Sequence, residues 1–329
     1  MKRLIVTGML LSFSMLALAA DSARNEFTGT YKITMTQTPA HPYALGANKF
    51  GDLVKERTKG RIQFKVFTDS TLAKGEREML EGLQQGTIDI YVGSTGPVGN
   101  FSPSMLIVDI PFLFRDNDHV DKVLDGPIGK QLLADVDKAG FNGLAFWENG
   151  FRHLSNNKVA ARTPDEAKGL KLRTMENKAH MLAFKTAGLN PTPMAWSEVY
   201  SALQVGVIDG QENPIAVFYT SKLYEIQKYL ALTGHVYSPA LVLFSQKKWN
   251  RIPKEDQEII AQAAVEAGIF ERKLNRDDEE KKLKYFEDKG TVVVRDVNKE
   301  AWQKAMQPAF DEFARQFGKD KIDAILQTR

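Results

Sequence analysis

The chain has 329 residues, of which 43% are hydrophobic and 26% are charged, and this ordinary composition excludes a disordered or collagen-like protein. It contains no cysteine, which excludes disulfide scaffolds, thiolate zinc sites, iron–sulfur clusters and cysteine nucleophiles. Lys and Arg number 44 against 41 Asp and Glu, so the net charge of +3 gives no electrostatic reason to expect a nucleic acid partner. At ~100–200 residues per domain, the length predicts two domains.

The N-terminus has the three parts of a secretory signal peptide over residues 1–20. Lys2 and Arg3 precede an apolar run, and Ala17 and Ala19 supply the small side chains that a signal peptidase requires. The apolar run is shorter than the ~20 residues that a membrane-spanning helix needs, so an uncleaved anchor is the weaker alternative. We expect cleavage after Ala19 or the next residue, and export to the periplasm where the host has two membranes.

Strand and helix patterns alternate through the first half of the mature chain. Period-two alternation predicts strands over residues 30–36, 61–67 and 87–92. Amphipathic helices between them end at Gly60 and Gly86. This order predicts βαβ units and a largely parallel sheet, in which ligands bind beyond the carboxyl ends of the strands.

The second half continues the α/β pattern and adds one long helix. The loop 93–96 follows the third strand and is either a plain turn or part of a ligand site. Thr163 and Glu166 form a capping box that predicts a short helix, and Arg173 ends a short strand. From residue 253 to about 289 the pattern is helical almost without a break, and at ~1.5 Å per residue this helix could reach roughly 50 Å. Because a domain of this size is only about 30 Å across, the helix must protrude or bridge two domains.

No cluster of reactive side chains in the sequence indicates catalysis. The chain lacks the Gly-rich phosphate and dinucleotide motifs, the G-x-S-x-G nucleophile elbow and the histidine spacings typical of zinc sites. The acidic run 277–280 is most simply a solvated helix face. The remaining features are cationic and amide side chains at strand ends, which suit a small anion held between two lobes. We expect no cofactor and no metal.

Four sequence blocks stand in a fixed order, ENGFR at 148–152, GLKLRT at 169–174, PTPMAWSEVY at 191–200 and IDGQENP at 208–214. They resemble the signature blocks of the solute-binding proteins of tripartite ATP-independent periplasmic (TRAP) transporters, DctP type. The run DIPFLF at 109–114 and the long helix also fit. The resemblance implies an α/β periplasmic binding protein fold, with two lobes around a hinged cleft and a long helix that spans both lobes.

The resemblance also implies how the chain is divided and what it does. Lobe I would comprise residues 21–149 with 239–275, and lobe II residues 150–238 with 276–329. Proteins of this family are not enzymes; they bind an organic acid, close around it and deliver it to a membrane permease driven by a sodium gradient. We therefore expect a monomer whose partners are a small carboxylate and the TRAP permease subunits. The rival interpretations are a binding protein for another type of importer or a sensor kinase, a secreted enzyme acting on acidic sugars, and a structural module.

Four site residues follow from the resemblance. Arg173 matches the family's central arginine, which forms a two-pronged salt bridge with the ligand carboxylate through its planar guanidinium. Arg152 matches a second arginine that supports the carboxylate, Asn213 an amide that reaches it, and Trp196 an aromatic ring that walls the ligand. From the residues alone, Arg152 could instead form an inter-lobe salt bridge, Asn213 a turn and Trp196 part of the core.

Other polar residues are weaker candidates for the site. Glu76 falls near an acidic ligand contact of some sialic-acid binders, with a spacing that differs by one residue. Ser94 and Thr36 fall where those binders have polar contacts of another type, which argues against sialic acid. An acidic group facing the ligand favours hydroxyls over a second carboxylate, so we expect a sugar acid such as a uronate or aldonate, with a C4-dicarboxylate as the alternative. The remaining pocket candidates are Gln37, Thr95 and Asn177.

Overall fold

The computed structural model describes residues 27–329, so the predicted signal peptide lies outside the described residues. Nine strands of the described chain form one sheet. The strands are β1 (Gly29–Thr34), β2 (Ile62–Phe67), β3 (Ile90–Ser94), β4 (Phe141–Asn156), β5 (Lys171–Thr174), β6 (Asn190–Pro193), β7 (Gly210–Asn213), β8 (Tyr229–Ser245) and β9 (Val292–Val294).

Thirteen α-helices accompany the sheet in the described chain, together with three short 3₁₀ segments. The 3₁₀ segments are Pro103–Asp109, Val136–Ala139 and Leu223–Glu225. The α-helices are α1 (Pro42–Arg57), α2 (Glu76–Gln85), α3 (Thr95–Val98), α4 (Asn117–Leu124), α5 (Pro127–Asp135), α6 (Lys178–Thr186), α7 (Trp196–Gln204), α8 (Ile215–Thr220), α9 (Gln246–Trp249), α10 (Lys254–Arg276), α11 (Glu279–Asp288), α12 (Lys299–Phe317) and α13 (Lys319–Leu326).

The strands are ordered β2-β1-β3-β8-β4-β7-β5-β6, with β9 beside β8. β1 pairs parallel with β2 and β3, and β5 pairs parallel with β6 and β7, as the βαβ pattern predicts. The prediction of a largely parallel sheet is wrong at its centre, where the long strands β4 and β8 are antiparallel. Most residues on both faces of these two strands are buried, so their sequences lack the alternation that identifies half-buried strands.

The described chain has four apolar cores, and the largest runs along both long strands through residues such as Phe146 of β4 and Tyr237 of β8. A second core packs α1 and α10 against the first half of β4, through residues such as Phe50, Trp147 and Ile260. Two further cores lie at the other end of these strands. Their largest buried side chains are Phe184 and Trp302 in one core, and Phe218 and Phe286 in the other. Both lobes therefore share the β4–β8 pair as a common support.

A β-bulge interrupts β4 between Glu148 and Gly150, opposite Ser238 and Pro239 of β8. The predicted lobe boundaries fall at this bulge, although the division into lobes stays a prediction. The final helix crosses that division, because the His119 imidazole lies 2.8 Å from the carbonyl oxygen of Ile325. The end of the chain thus contacts residues assigned to lobe I.

The long helix is interrupted, which corrects the expectation of a nearly continuous helix over 253–289. Helix α10 ends at Arg276, and α11 begins at Glu279. Asp278 between them has φ −121° and ψ 18°, outside the helical region. Aspartate favours helix caps because its carboxylate competes for nearby backbone groups, so a pair of aspartates is a natural point for a break. α10 packs in the core with Trp147, and α11 packs with Phe218.

The capping box at Thr163 forms without a helix after it. Glu166 Oε2 accepts from the Thr163 amide at 3.1 Å, and Thr163 Oγ1 accepts from the Glu166 amide at 3.4 Å. The segment that follows is a turn that ends before β5. The local hydrogen bonds were therefore predicted correctly, whereas the helix was not.

Two glycines of α1 differ in the space around them, which gives a test of the packing of α1 against α10. A Cβ on Gly46 would lie 2.9 Å from both the Glu271 Cβ and the Trp147 Cζ3, whereas a Cβ on Gly51 meets only the Phe64 Cβ at 3.5 Å. We expect Gly46→Ala to lower the free energy of unfolding by about 1–3 kcal/mol through overpacking. Gly51→Ala, the matched control, should raise it by about 0.5–1 kcal/mol through helix propensity. Urea unfolding that gives both variants the same sign would contradict this packing.

Candidate ligand-binding site

Arg173 lies near the carboxyl end of β5, between the parallel strands β6 and β7. Its side chain is 2% exposed, and its Nε and Nη2 donate to the Met194 carbonyl oxygen at 3.0 and 2.7 Å. The guanidinium carbon lies 5.5 Å from the ring centroid of Trp196, within the range of a cation–π contact. Within residues 27–329 no carboxylate forms a salt bridge with Arg173, so its charge is available to an anion.

The electrostatic environment keeps Arg173 charged in spite of its burial. Burial lowers the pKa of Arg173 to about 10, while the negative charges of Glu76 and Glu212 act to raise it. Burial also raises the pKa of Glu76 above its ordinary value, and the positive charges of Arg173 and Arg152 oppose that shift. A buried cation without an ion-pair partner carries a desolvation cost, which a ligand carboxylate would offset.

Arg173 lines a narrow cavity of about 10 Å³ between strand ends and helix N-termini, which is about the space of one water molecule. A second cavity of about 140 Å³ shares Arg173 and Glu76 with the first. Both volumes are below the ~300–1,000 Å³ range of small-molecule sites, so the cleft must open to admit a ligand. The residues that line the first cavity are Gln37, Tyr43, Glu76, Ser94, Asn149, Arg173, Met175, Trp196 and Asn213.

The structure therefore brings together five of the seven predicted site residues. Besides Arg173, Asn213 is the last residue of β7 and Ser94 the last residue of β3, so both stand at carboxyl ends of strands. Glu76 and Trp196 are the first residues of α2 and α7. The two helix starts and two strand ends converge on the Arg173 guanidinium from different parts of the chain.

The other two predicted residues, Arg152 and Thr36, are not among the residues that line this cavity, and their assignment as ligand contacts stays a prediction. The Arg152 Nε donates to Glu212 Oε2 at 2.5 Å and its Nη2 to Glu212 Oε1 at 2.8 Å, so one edge of the guanidinium is already paired. Glu212 lies in β7, which pairs with β4, so the pair lies within the predicted lobe II and is not an inter-lobe bridge. Thr36 Oγ1 lies 3.5 Å from Glu76 Oε1 and contacts the cavity wall from behind.

A buried polar network extends from the Arg152–Glu212 pair. Burial would raise the pKa of Glu212, but the Arg152 charge and the hydrogen bonds from His235 and Arg152 outweigh it and hold the pKa well below its usual range. His235 Nε2 lies 3.1 Å from Glu212 Oε2. Burial lowers the pKa of His180 to about 3, against the charge of Glu212, so the His180 imidazole is neutral. This network fixes the strands behind Arg173.

Three residues in the wall, Tyr43, Asn149 and Met175, were missed in the sequence, and the first two carry polar atoms without partners. The Tyr43 hydroxyl and the Asn149 Oδ1 are buried and have no hydrogen-bond partner in residues 27–329, and Gln37 Oε1 is in the same state. Tyr43 is in the first turn of α1, where an aromatic residue is typical of a core. Asn149 lies at the bulge of β4, a strand that the alternation did not identify. Only the ENGFR block, which contains Asn149, could have identified it.

Thr95 and Asn177 lie outside this wall, and both bind Asp109. Thr95 Oγ1 donates to Asp109 Oδ1 at 2.9 Å, and Asn177 Nδ2 donates to Asp109 Oδ2 at 2.9 Å. Burial raises the pKa of Asp109 to about 7, although these two hydrogen bonds and the Arg152 charge act to lower it. Asp109 belongs to the DIPFLF run, to which the sequence assigned no role.

Within residues 27–329 no helix is both long enough and apolar enough to cross a membrane. A two-lobed α/β fold with a buried, unpaired guanidinium in a small cavity defines the class of extracytoplasmic solute-binding proteins. The chain belongs to the DctP family, the bacterial extracellular solute-binding proteins of family 7, whose model matches residues 33–316. This result confirms the resemblance to TRAP solute-binding proteins, a periplasmic group.

Individual proteins of known structure or assigned ligand are similar over nearly the whole chain. The 2,3-diketo-L-gulonate-binding periplasmic protein YiaO of Escherichia coli K12 is 39% identical over 92% of this chain and 89% of its own. A TRAP solute-binding protein from Polaromonas sp. JS666, bound to D-erythronate, is 46% identical with a TM-score of 0.89 over 91% and 99% of the two chains. One from Sulfurospirillum deleyianum, with bound succinate, is 37% identical with a TM-score of 0.86 over 91% and 99%. These structures confirm the two-lobed fold.

The raised pKa of Asp109 predicts a pH dependence of stability. Because the pKa is about 7 in the folded chain against an ordinary 3.8, protonated Asp109 stabilises the fold at low pH, and this contribution is lost as the pH rises through 7. Asp109→Asn should therefore reduce the fall in the free energy of unfolding between about pH 5 and about pH 8, measured in urea. Asp118→Asn, an exposed position on α4, controls for the loss of one negative charge. A wild-type slope in Asp109→Asn would show that Asp109 does not titrate in this range.

Proposed function

We propose that the chain captures a small sugar acid in the Arg173 cavity and delivers it to a TRAP permease. The observation that carries the proposal is the chemistry of the cavity wall. The wall combines an unpaired cation, Arg173, with acceptor atoms that have no donors and with one acid, Glu76. A monocarboxylate with several hydroxyls matches this combination.

The Arg173 guanidinium selects for a carboxylate. The Arg173 charge is buried and without a salt bridge, and a carboxylate that reaches it would gain a charge-assisted hydrogen bond in a site of low dielectric. Asn213 and Trp196 lie in the same wall. The ring of Trp196 holds the guanidinium from one face, which leaves it oriented before the ligand arrives. Such pre-organisation lowers the entropic cost of binding.

The unpaired polar atoms of the wall favour a ligand with hydroxyls. Gln37 Oε1 and Asn149 Oδ1 are acceptors without donors in the described chain, and the Tyr43 hydroxyl is also without a partner. A buried acceptor that stays unpaired costs about 1–3 kcal/mol, which a ligand hydroxyl would recover and a second carboxylate would not. Glu76 in the same wall would repel a second carboxylate. This favours a sugar acid over a C4-dicarboxylate.

The relatives support the ligand class from outside the chain. Two of the similar proteins bind or are named for sugar acids. One structure holds D-erythronate, and the other protein is named for 2,3-diketo-L-gulonate. The neighbour with bound succinate keeps the C4-dicarboxylate as the second candidate. We propose accordingly that the protein acts in the periplasm as a monomer without enzymatic activity, after removal of the signal peptide, and that its lobes close around the ligand.

The first test concerns Arg173. Arg173→Ala should weaken binding of the preferred acid by about 3–5 kcal/mol, or more than 100-fold in Kd, because it leaves the ligand carboxylate buried without its partner. Arg173→Lys should lose most of the affinity as well, since an ammonium cannot copy the guanidinium fork. Arg315→Ala removes an exposed positive charge on α12, outside both cavities, and is the control. Calorimetry that gives both Arg173 variants wild-type affinity would refute the assignment.

The second test separates the ligand classes. In a thermal-shift screen, D-erythronate, D-galactonate and D-glucuronate should include the strongest ligand, and a ligand at about 100 Kd stabilises the protein by ~2.7 kcal/mol. Glu76→Gln should weaken sugar-acid binding about 10-fold and strengthen succinate binding, because it removes the charge that repels a second carboxylate. Glu81→Gln on the same helix is the matched control. Stabilisation by succinate or malate alone would overturn the sugar-acid proposal.

A further inference from the structure

The segment from Arg173 to Asn177 faces the cavity at one end and the opposite lobe at the other. Met175 lines the cavity beside Arg173. Two residues further on, Asn177 Nδ2 donates to Asp109 Oδ2 at 2.9 Å, and Asp109 belongs to the stretch assigned to lobe I. The residue that holds the ligand and the residue that contacts the other lobe are thus four positions apart on one short stretch of chain.

Asp109 is tied to lobe I as firmly as Asn177 is tied to lobe II. Asp109 is completely buried, and its Oδ1 accepts from Thr95, the first residue after β3. Asn177 is the N-cap of α6, where its Oδ1 accepts from the amides of Ala179 and His180 at 2.8 and 3.0 Å. Each partner of the Asp109–Asn177 hydrogen bond is therefore fixed by a second bond within its own lobe.

The backbone around this hydrogen bond is shaped for close approach of the two lobes. A Cβ on Gly96 would lie 2.7 Å from the Met175 Cε and 3.2 Å from the Asn177 Nδ2, so a side chain at position 96 would displace the Met175 or Asn177 side chain. Close by, Asn100 Nδ2 donates to the Glu176 carbonyl oxygen at 2.7 Å. Residues 93–96, which the sequence left as a turn or a ligand loop, form the end of β3 and the start of α3. They include Ser94 of the cavity wall and Gly96, which lies against Asn177.

We propose that Asp109 and Asn177 are positioning residues that form a closure latch, an inter-lobe hydrogen bond that holds the lobes together once Arg173 has bound its ligand. The proposal rests on the proposed function, since it needs a ligand that Arg173 recruits. Neither residue lines the Arg173 cavity, so the latch acts on the rate at which the closed protein releases the ligand. His180, Glu212 and Arg152 are the ionisable groups that face Asp109 from lobe II.

The two residues can be exchanged, with Asn at position 109 and Asp at position 177. If the pair acts as a latch, the exchange should restore the rate of ligand release, whereas a merely structural role predicts no such recovery. Asn177→Asp removes the amide donor and, well above the Asp109 pKa of about 7, places two carboxylates face to face across the lobes, so the variants are compared at about pH 9. Aspartate remains a good helix N-cap. Asp109→Asn keeps one acceptor and one donor, so its effect should be smaller. The double variant Asp109→Asn with Asn177→Asp restores a donor opposite a charged acceptor with the two roles exchanged.

The experiment measures the dissociation rate by stopped-flow tryptophan fluorescence and the Kd by calorimetry. The probes are D-erythronate, D-galactonate and succinate, and the acid that the wild-type protein binds most tightly is used throughout. Asn177→Asp should release this acid about 10-fold faster or more, and the swap variant should recover most of the wild-type rate. Asn298→Asp, at the exposed N-cap of α12, is the matched control and should leave both quantities unchanged.

Two results would overturn the latch. One is a double variant whose effect equals the sum of the two single-variant effects, because such additivity means that the two side chains do not interact. The other is an Asn177→Asp variant with wild-type dissociation. Arg173→Ala, measured in the same series, keeps the two proposals apart: wild-type affinity in that variant contradicts the carboxylate site, whereas additivity in the swap contradicts only the latch.

Discussion

The site depends on one buried guanidinium that has no carboxylate partner within the described chain. Arg173 donates to the Met194 carbonyl and stacks near Trp196, and neither contact neutralises its charge. Removing a cation from water without an ion-pair partner is costly, so the folded chain carries a cost that an anion of the right shape would lift. Arg152 shows the contrast, because it forms a buried salt bridge with Glu212 and only its Nη1 stays without a hydrogen-bond partner in the described chain.

The second constraint is the pair of strands that both lobes share. Glu148, at the bulge of β4, is bound by the end of α10 on both sides of its backbone: its amide donates to Glu271 Oε2 at 2.9 Å and its carbonyl accepts from Asn275 Nδ2 at 2.6 Å. The next residue, Asn149, points a free acceptor at the ligand cavity. At the bulge, therefore, the cavity-wall residue Asn149, the long strands β4 and β8 and the end of α10 lie next to one another.

The sequence was sufficient for the parts of the fold whose burial is one-sided. Strands such as β1 and β2 and helices such as α1 and α2 alternate between apolar and polar faces, and their limits were predicted to within a few residues. The sequence pattern did not identify β4 and β8, because both of their faces are buried and they lack alternation. It did not identify the helix break at Asp278 either, because an acidic pair is equally typical of a solvated helix face. Arg173 was identified through the family resemblance, whereas Tyr43 has the local pattern of a core residue.

Because the sheet is continuous, the two lobes are unlike domains that can be separated and folded individually. Neither lobe is joined to the other by a linker that could be cut, since β4 and β8 run through both and pair with strands on each side. An isolated half would expose long, apolar strand edges and would tend to aggregate instead of folding alone. Thermal denaturation of the intact protein should accordingly follow a single cooperative transition, in which the two halves gain or lose their order together.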